Sequence, residues 1–103
     1  MIKKLKINIP KQDIVSFCRK HNIKKLSIYG SALRGDLKPE SDIDILVEFY
    51  KEFIPGFFKL VDMEEELSLI FGGRKVDLRT PNDLSRYFRN EVLETAEALH
   101  VES

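Results

Sequence analysis

The sequence predicts an α/β (α+β) fold in which helices pack against a small mixed sheet of three strands. Helical and strand-like hydrophobic patterns alternate in the order helix, strand, short helix, strand, helix, strand, helix, which is typical of a domain with one small sheet. The chain has 103 residues, 43% hydrophobic and 33% charged, as expected of a globular protein. We therefore interpret residues 1–103 as a single domain without repeats or linkers.

The first half of the chain is predicted to supply one long helix and two strands. Pro10 suits the first position of a helix, and an apolar stripe follows it to about His21. Alternation indicates a short strand at Lys25–Tyr29 and a second strand, the clearest in the sequence, at Ile43–Phe49. Between the strands, residues 31 to about 35 have room only for a brief helix, because glycine, aspartate and proline follow.

The second half is predicted to add a helix, a strand and a last helix. A long helix is expected from Pro55 to about Phe71, where two glycines end it. Arg74–Arg79 is predicted to form the third strand, since apolar and charged residues alternate there. Thr80, followed by proline, is expected to cap a last helical segment that continues through Leu93.

Charge and targeting signals narrow the classes of function. Lys plus Arg and Asp plus Glu both number 17, so the basic excess of a typical nucleic-acid binder is missing and direct binding of nucleic acid is not expected. No apolar stretch approaches the roughly 18 residues of a membrane-spanning helix. Residues 2–9 alternate loosely, as a short strand or a frayed arm would, and lack the apolar core of a signal peptide. We therefore expect a cytoplasmic protein without membrane contact.

Cysteine and histidine supply no obvious chemistry. Cys18 is the only cysteine, which excludes an internal disulfide and a cysteine-based metal cluster, and it is expected to be buried in the first helix. His21 and His100 belong to no cluster of ligands and are expected at the surface. The candidate site must therefore be sought among the carboxylates.

Asp42 and Asp44 are two residues apart on a predicted strand, so both side chains leave the same face. Two adjacent carboxylates repel each other unless a divalent cation lies between them. Mg²⁺ takes oxygen ligands and often keeps substrate phosphates as further ligands. A solvated acidic end of a strand would have the same Asp-x-Asp pattern, so the pair needs support from other residues.

Gly30 and Ser31 provide part of that support. They lie where a strand turns into a helix, so backbone N–H groups and the helix dipole can face a phosphate. Glycine allows the backbone to approach closely, and the Ser31 hydroxyl adds a donor. The same Gly-Ser sequence is also compatible with an ordinary strand-to-helix turn in which the serine caps the helix.

Asp77 supplies a third acid, and the predicted topology brings it to the same end of the sheet. The short link between the first two strands favours an antiparallel pair, which places Gly30 and Ser31 beside Asp42. The long helix between the second and third strands favours a parallel crossover, which places Asp77 near Asp44. Three carboxylates that hold two Mg²⁺ ions, with a triphosphate at the glycine turn, describe nucleotidyl transfer. In this interpretation Asp42 and Asp44 bridge both ions, and Asp77 binds the nucleophile-side ion and acts as a candidate base.

These residues form a motif that resembles a known superfamily. The stretch GSALRGDLKPESDID, followed by KVDL, resembles the polymerase-β-like nucleotidyltransferases, and the segments IKKLSIYGSALRG, SDIDILVEF and GGRKVDLRTP resemble their minimal nucleotidyltransferase (MNT) family. The resemblance extends over roughly residues 14–92 and implies the polymerase-β-like fold. It assigns the site to the following residues: Gly30, Ser31, Asp42, Asp44 and Asp77.

Arg34 and Leu33 lie on the family's usual Ala-Arg-Gly, in which leucine here replaces alanine. Arg34 either contacts the triphosphate or pairs with a nearby aspartate, and the sequence does not distinguish the two. Arg79, which flanks Asp77, either helps to hold phosphates or lies in solvent at the strand edge.

The resemblance also implies cofactors and a partner. Members of the family are typically antitoxins that are encoded beside a HEPN-domain ribonuclease toxin, bind Mg²⁺ and ATP, and silence the toxin by transferring AMP to it. For this chain it implies ATP as nucleotide donor, a HEPN-domain toxin as acceptor, and a hetero-oligomer with that toxin.

Two other functions are compatible with the same residues. The nucleotide and metal residues occupy most of the chain, so the acceptor is expected to be held by another protein, or to be that protein. A non-catalytic module that inhibits its partner by complex formation alone is the first alternative, although pure binding would not need three converging carboxylates. An RNA-directed nucleotidyltransferase is the second, and the zero net charge weighs against it.

Overall fold

The computed structural model describes residues 8–34, 38 and 40–102, and residues 1–7, which hold most of the predicted N-terminal strand or arm, lie outside this range. The helices of the described part are α1 (Lys11–Lys20), α2 (Ser31–Arg34), α3 (Phe57–Ile70) and α4 (Arg89–Thr95). Its strands are β1 (Ile23–Tyr29), β2 (Ile43–Phe49), β3 (Val76–Arg79) and β4 (Glu97–Val101). Short 3-10 turns lie at Lys51–Phe53 and Pro81–Asp83. None of the helices described here combines the length and the apolar character needed to cross a bilayer.

The strands form one mixed sheet in the order β3-β2-β1-β4. β1 pairs antiparallel with β2 and with β4, whereas β2 and β3 run parallel. The parallel pair is joined through α3, because parallel strands need a long crossover connection. The predicted mixed α/β architecture, with an antiparallel first pair and a parallel second pair, is confirmed.

The fourth strand corrects the predicted count of three. β4 follows α4 with only Ala96 between them and pairs with the outer edge of β1. Its sequence, EALHV, has no glycine or proline before it and only one β-branched residue, Val101. The usual signals of a strand boundary are therefore missing, and the partner strand β1 decides the conformation.

The last helical segment is shorter than predicted. Thr80 does cap a turn, because the Asp83 carboxylate accepts hydrogen bonds from its N–H (3.1 Å) and its hydroxyl (3.0 Å). The turn is of the 3-10 type, however, and the backbone extends again at Leu84 (ψ 144°). An α-helix begins only at Arg89. The predicted single helical segment is therefore divided into a 3-10 turn at Pro81–Asp83 and a separate helix α4.

The core lies between one face of the sheet and helices α1 and α3. Alternate residues of β2, such as Ile43 and Ile45, point to this face and are fully buried. Phe17 of α1 and Leu67 of α3 pack into the same cluster of apolar side chains. Burial of this surface away from water is the main stabilising contribution. The intervening residue Asp44 therefore points to the opposite face of the sheet.

Both histidines are more buried than the sequence analysis predicted, whereas the cysteine is buried as predicted. His21 is buried rather than exposed, and its Nε2 lies 3.0 Å from Oε1 of Glu66, which ties α1 to α3. His100 is likewise mostly buried, 2.8 Å from Glu102. Cys18 is buried as predicted, and burial, together with the charge of Glu102, raises the pKa of its thiol to about 12.

Candidate active site

Three neighbouring strands align Tyr29, Asp44 and Asp77 in one row. In the antiparallel pair Tyr29 lies opposite Asp44, and in the parallel pair Asp44 lies opposite Asp77. Partner residues of a ladder project from the same face of a sheet, so these side chains share the face opposite the core. All three are half-buried. The register brings the acids of the second and third strands together, and their role as site residues stays a prediction.

Gly30 follows β1 and lies directly against Asp44. Its φ of +75° is in the left-handed region that favours glycine. A Cβ added here would overlap Oδ2 of Asp44, so the close approach itself requires glycine. The backbone oxygen of Gly30 accepts a hydrogen bond from the N–H of Leu33 (3.0 Å), which forms the first turn of α2. The glycine turn and the carboxylate therefore form one compact unit.

Asp42 lies one residue before β2, in a segment that Arg74 anchors. A guanidinium nitrogen of Arg74, Nη2, donates hydrogen bonds to the backbone oxygens of Lys38 (2.6 Å) and Ser41 (3.2 Å). The N–H of Ile43 donates to the backbone oxygen of Lys75 (2.8 Å). The backbone on both sides of Asp42 is thus hydrogen-bonded to the β3 segment, two positions before Asp44 in the sequence. Sequence analysis did not single out Arg74, because its only signal is its place before β3.

Ser31 and Arg34 are the first and last residues of α2, directly beyond Gly30. Their backbones belong to the short helix that was predicted there. Their side chains are outside the described part of the structure, so their predicted contacts with a triphosphate stay predictions.

Asp77 is already paired with a cation. Nε of Arg79 donates a hydrogen bond to Oδ2 of Asp77 at 3.1 Å, and this bond and the carboxylate charge raise the pKa of Arg79 further. Of the two roles considered for Arg79, a solvated edge residue and a phosphate ligand, neither included this ion pair. Within residues 8–34, 38 and 40–102, no three acidic, histidine or cysteine side chains are gathered closely enough to hold one metal ion. Mutual repulsion of carboxylates and the pull of Arg79 on Asp77 are sufficient physical reasons.

The donor set nevertheless suits a hard divalent cation. Asp44 and Asp77 are cross-strand partners, and Asp42 precedes Asp44 by two residues. Carboxylate oxygens are the ligands that Mg²⁺ prefers, and it commonly uses one or two of them together with substrate phosphates. Gly30 has no side chain, so its backbone lies directly against the Asp44 carboxylate. The residues that are present therefore fit a site shared by Mg²⁺ and a phosphate group.

Tyr29 reports the electrostatics of this face and was missed by the sequence analysis. Burial, then the charges of Asp44 and Asp77, raise the pKa of its phenol to about 12, and the positive charge of Arg79 opposes the shift. A negative potential is what a cation site requires before the cation arrives. The available sequence signal was the position of Tyr29, immediately before the glycine turn.

A tyrosinate titration is expected to reveal the combined effect of burial and of these charges on Tyr29. One ionisation should occur late, near pH 12, and should disappear in Tyr29→Phe but persist in the control Tyr87→Phe, whose side chain is 86% exposed. Because the raised pKa favours the neutral phenol in the folded state, this group's contribution to stability is complete below pH 10 and is lost as the pH rises towards about 12. Ultraviolet absorbance of tyrosinate measures the midpoint. Persistence of the late phase in Tyr29→Phe would contradict the assignment.

A glycine turn pressed against one of two aligned carboxylates, on a small mixed sheet, is the arrangement of a nucleotidyl-transfer domain. Residues 12–103 match the sequence profile of the family described as polymerase beta, nucleotidyltransferase. The chain therefore belongs to the polymerase β nucleotidyltransferase family, and it is a nucleotidyltransferase. The resemblance stated from the sequence, and the fold that it implied, are confirmed.

Individual proteins similar to this chain in sequence or in fold are consistent with this family assignment. The chain is 36% identical over 92 residues to MJ0435 of Methanocaldococcus jannaschii, provisionally named a protein adenylyltransferase, covering 89% of this chain and 96% of the relative. It is 38% identical over 71 residues to protein adenylyltransferase MntA of Thermococcus cleftensis, covering 69% of each chain. A crystal structure of a toxin–antitoxin with AMP-PNP has the same fold, with a TM-score of 0.73 at 19% identity, over 91% of this chain and 75% of that one.

Proposed function

We propose that this chain is a Mg²⁺-dependent protein adenylyltransferase that transfers AMP from ATP to a hydroxyl group of a partner protein. The observation that carries the proposal is the register of Asp44 opposite Asp77, with Gly30 against Asp44. This arrangement supplies aligned carboxylates beside a backbone turn able to receive phosphates. The identity to MntA of Thermococcus cleftensis supports a protein as the acceptor.

The predicted site residues form two groups in this reaction, one for the metal ions and one for the triphosphate. Asp42, Asp44 and Asp77 would hold two Mg²⁺ ions, which lower the pKa of the attacking hydroxyl and stabilise the leaving pyrophosphate. Gly30, Ser31 and Arg34 are the residues that would hold the triphosphate. These six residues extend from the end of β1, through the start of β2, to the middle of β3.

Asp77 is the candidate base for the transfer itself. The acceptor oxygen forms a bond to the α-phosphorus of ATP, the bond from that phosphorus to the bridging oxygen breaks, and pyrophosphate leaves. Asp77 accepts the proton of the hydroxyl. For this it must exchange its ion pair with Arg79, which is 46% exposed and so easily rearranged.

The partner in this proposal is a HEPN-domain ribonuclease toxin, and the chain acts in the cytoplasm as its antitoxin. The solved toxin–antitoxin of the same fold, which contains the ATP analogue AMP-PNP, supports a toxin as the partner and an adenine nucleotide as the donor. The zero net charge agrees with a protein acceptor rather than a nucleic acid. A hetero-oligomer of the two proteins follows from this pairing.

Radiolabel transfer tests the proposal. The protein is incubated with ATP labelled at the α-phosphate, Mg²⁺ and the HEPN-domain partner, and the partner is then examined by mass spectrometry and for ribonuclease activity. We expect one AMP adduct on the partner and loss of its activity, both dependent on Mg²⁺. An unlabelled partner that is nevertheless inhibited would favour the non-catalytic binding module. In a parallel reaction with RNA in place of the partner, label on the RNA would favour the RNA-directed enzyme.

A further inference from the structure

A cleft runs beside Asp77, along the outer edge of the sheet. It has a volume of about 520 Å³ and lies between the N-terminal half of α3 and the last residues of β3. β3 is an edge strand, so nothing in the sheet closes this side. The cleft has an apolar wall from α3, formed by Phe57, Leu60 and Val61. On the β3 side its wall is charged and includes Asp77, Arg79 and Asp83.

Exposed apolar side chains continue from this cleft over the surface. Phe57 is 73% exposed and Phe58 is 83% exposed, and their rings contact each other edge-on with centroids 5.7 Å apart. Phe53 and Ile54, in the preceding turn, are 52% and 68% exposed. Phe57 and Phe58 thus form an exposed pair in contact, and Phe53 and Ile54 are exposed close to them in sequence; clustered exposed apolar residues mark sites of interaction with other proteins more often than single ones do. We call these four residues the aromatic patch.

The order of the strands assigns the two sides of the site to different substrates. Gly30, at the end of β1, lies on one side of Asp44, and Asp77, on β3, lies on the other. In phosphoryl transfer the attacking and leaving oxygens lie in line on opposite sides of phosphorus. If the leaving pyrophosphate is held at the Gly30 turn, the acceptor must approach from the β3 side. The cleft is on that side.

The charges of the cleft specify what it can receive. Glu64, Asp77 and Asp83 are acidic and Arg79 is the one cation among the lining residues, so the cleft favours a positively charged segment. Oε2 of Glu64 accepts a hydrogen bond from the N–H of Leu78 at 2.8 Å. Because this bond occupies a donor on the open edge of β3, an incoming chain binds through its side chains rather than as an added strand.

We propose that this cleft and the aromatic patch dock the acceptor protein through a segment that carries an apolar side chain beside a basic one. The apolar side chain packs against Phe57 and Leu60, the basic one lies near Glu64, and the acceptor hydroxyl is thereby held at Asp77. This inference rests on the proposed function, because it concerns the acceptor of the same reaction. It adds a surface and a chemistry of recognition that the transfer site alone does not contain.

Paired substitutions on α3 test the docking surface. Phe57→Ser removes an apolar side chain from the cleft, and Leu69→Ser removes one of similar exposure, 78%, from outside it. Affinity for the HEPN-domain partner is measured by calorimetry without ATP, and Mg²⁺-ATP binding by thermal shift. We expect Phe57→Ser to weaken partner binding at least about tenfold with unchanged nucleotide binding, as for a central interface residue. Leu69→Ser should match the wild type in both.

The charge of the cleft is tested with Glu64→Gln. Glutamine keeps an oxygen that can accept the Leu78 hydrogen bond but loses the negative charge. Partner affinity should fall a few-fold at low salt, and its dependence on salt should become shallower. Partner affinity unchanged in both Phe57→Ser and Glu64→Gln would overturn the proposal.

The outcomes separate this inference from the proposed function. A wild type that binds its partner but transfers no AMP contradicts the proposed function, while the affinities of the variants still decide where the partner docks. A Phe57→Ser variant that transfers AMP as well as the wild type does contradicts the docking surface alone. Sedimentation of the protein without its partner tests whether a second copy of this chain binds the aromatic patch instead. Self-association that Phe57→Ser abolishes would assign the patch to that second copy and overturn the proposal.

Discussion

Replacing Asp44 with asparagine is expected to lower the rate of AMP transfer at least about a hundredfold, because it removes the charge that both metal ions would share. The shape of the side chain is retained, so the register with Tyr29 and Asp77 should persist. Asp42→Asn should have an effect of the same order. The rate is measured as labelled AMP incorporated into the partner under single-turnover conditions, and circular dichroism monitors the fold.

Asp62→Asn provides the matched control. Asp62 is an exposed acid on α3 and is absent from the residues that line the cleft, so its substitution should change neither the rate nor the fold. A near-normal rate in Asp44→Asn and Asp42→Asn would mean that the site has been assigned to the wrong residues. A large loss in Asp62→Asn would show that a general change of charge, rather than a missing ligand, explains the effect.

The second large effect is expected from Gly30→Ala, through two separable causes. A left-handed backbone conformation costs an alanine about 1–2 kcal/mol relative to its preferred regions, so the free energy of unfolding should fall by about that amount. In addition, the new methyl group would overlap Oδ2 of Asp44 and push the carboxylate away. A displacement of about 1 Å at a reacting centre lowers rates by about a hundredfold. Urea unfolding and the transfer assay measure the two effects.

Gly72→Ala distinguishes the backbone cost from the contact with Asp44. Gly72 has almost the same φ, +74°, but an added Cβ would have no neighbour within 4 Å. Both variants should therefore lose similar stability, whereas only Gly30→Ala should lose transfer activity. Equal transfer rates in the two variants would show that the contact between Gly30 and Asp44 does not matter for the reaction.

The sheet around the site was predictable because its signals are local and strong. Ile43–Phe49 alternates clearly, and the lengths of the connections decide whether neighbouring strands run antiparallel or parallel. Once those directions are known, the convergence of Asp44 and Asp77 follows from register. Gly30 was predictable for the same reason, since a strand-to-helix turn with close approach favours glycine.

The remaining features depend on contacts that are distant in sequence. β4 is a strand because it pairs with β1, and its own residues give little indication of it. The burial of His21 depends on Glu66 in another helix. The Asp77–Arg79 pair depends on which rotamers these two partly exposed side chains adopt, and the hydrophobic pattern carries no information about rotamers. Arg74 donates hydrogen bonds to backbone oxygens. Because every residue has a backbone oxygen, the sequence does not indicate which ones it binds.

The parallel pairing of β2 with β3 has a consequence for how the protein is made. The antiparallel pair of β1 and β2 closes over a short segment, whereas β3 joins only after α3 has been synthesised and packed. Contacts between residues far apart in sequence form late, because closing a long loop costs more conformational entropy. A nascent or partly folded chain therefore presents Asp42 and Asp44 without Asp77. With the proposed site residues, completion of folding and the onset of catalytic competence should coincide, because an unfinished chain holds only part of that site.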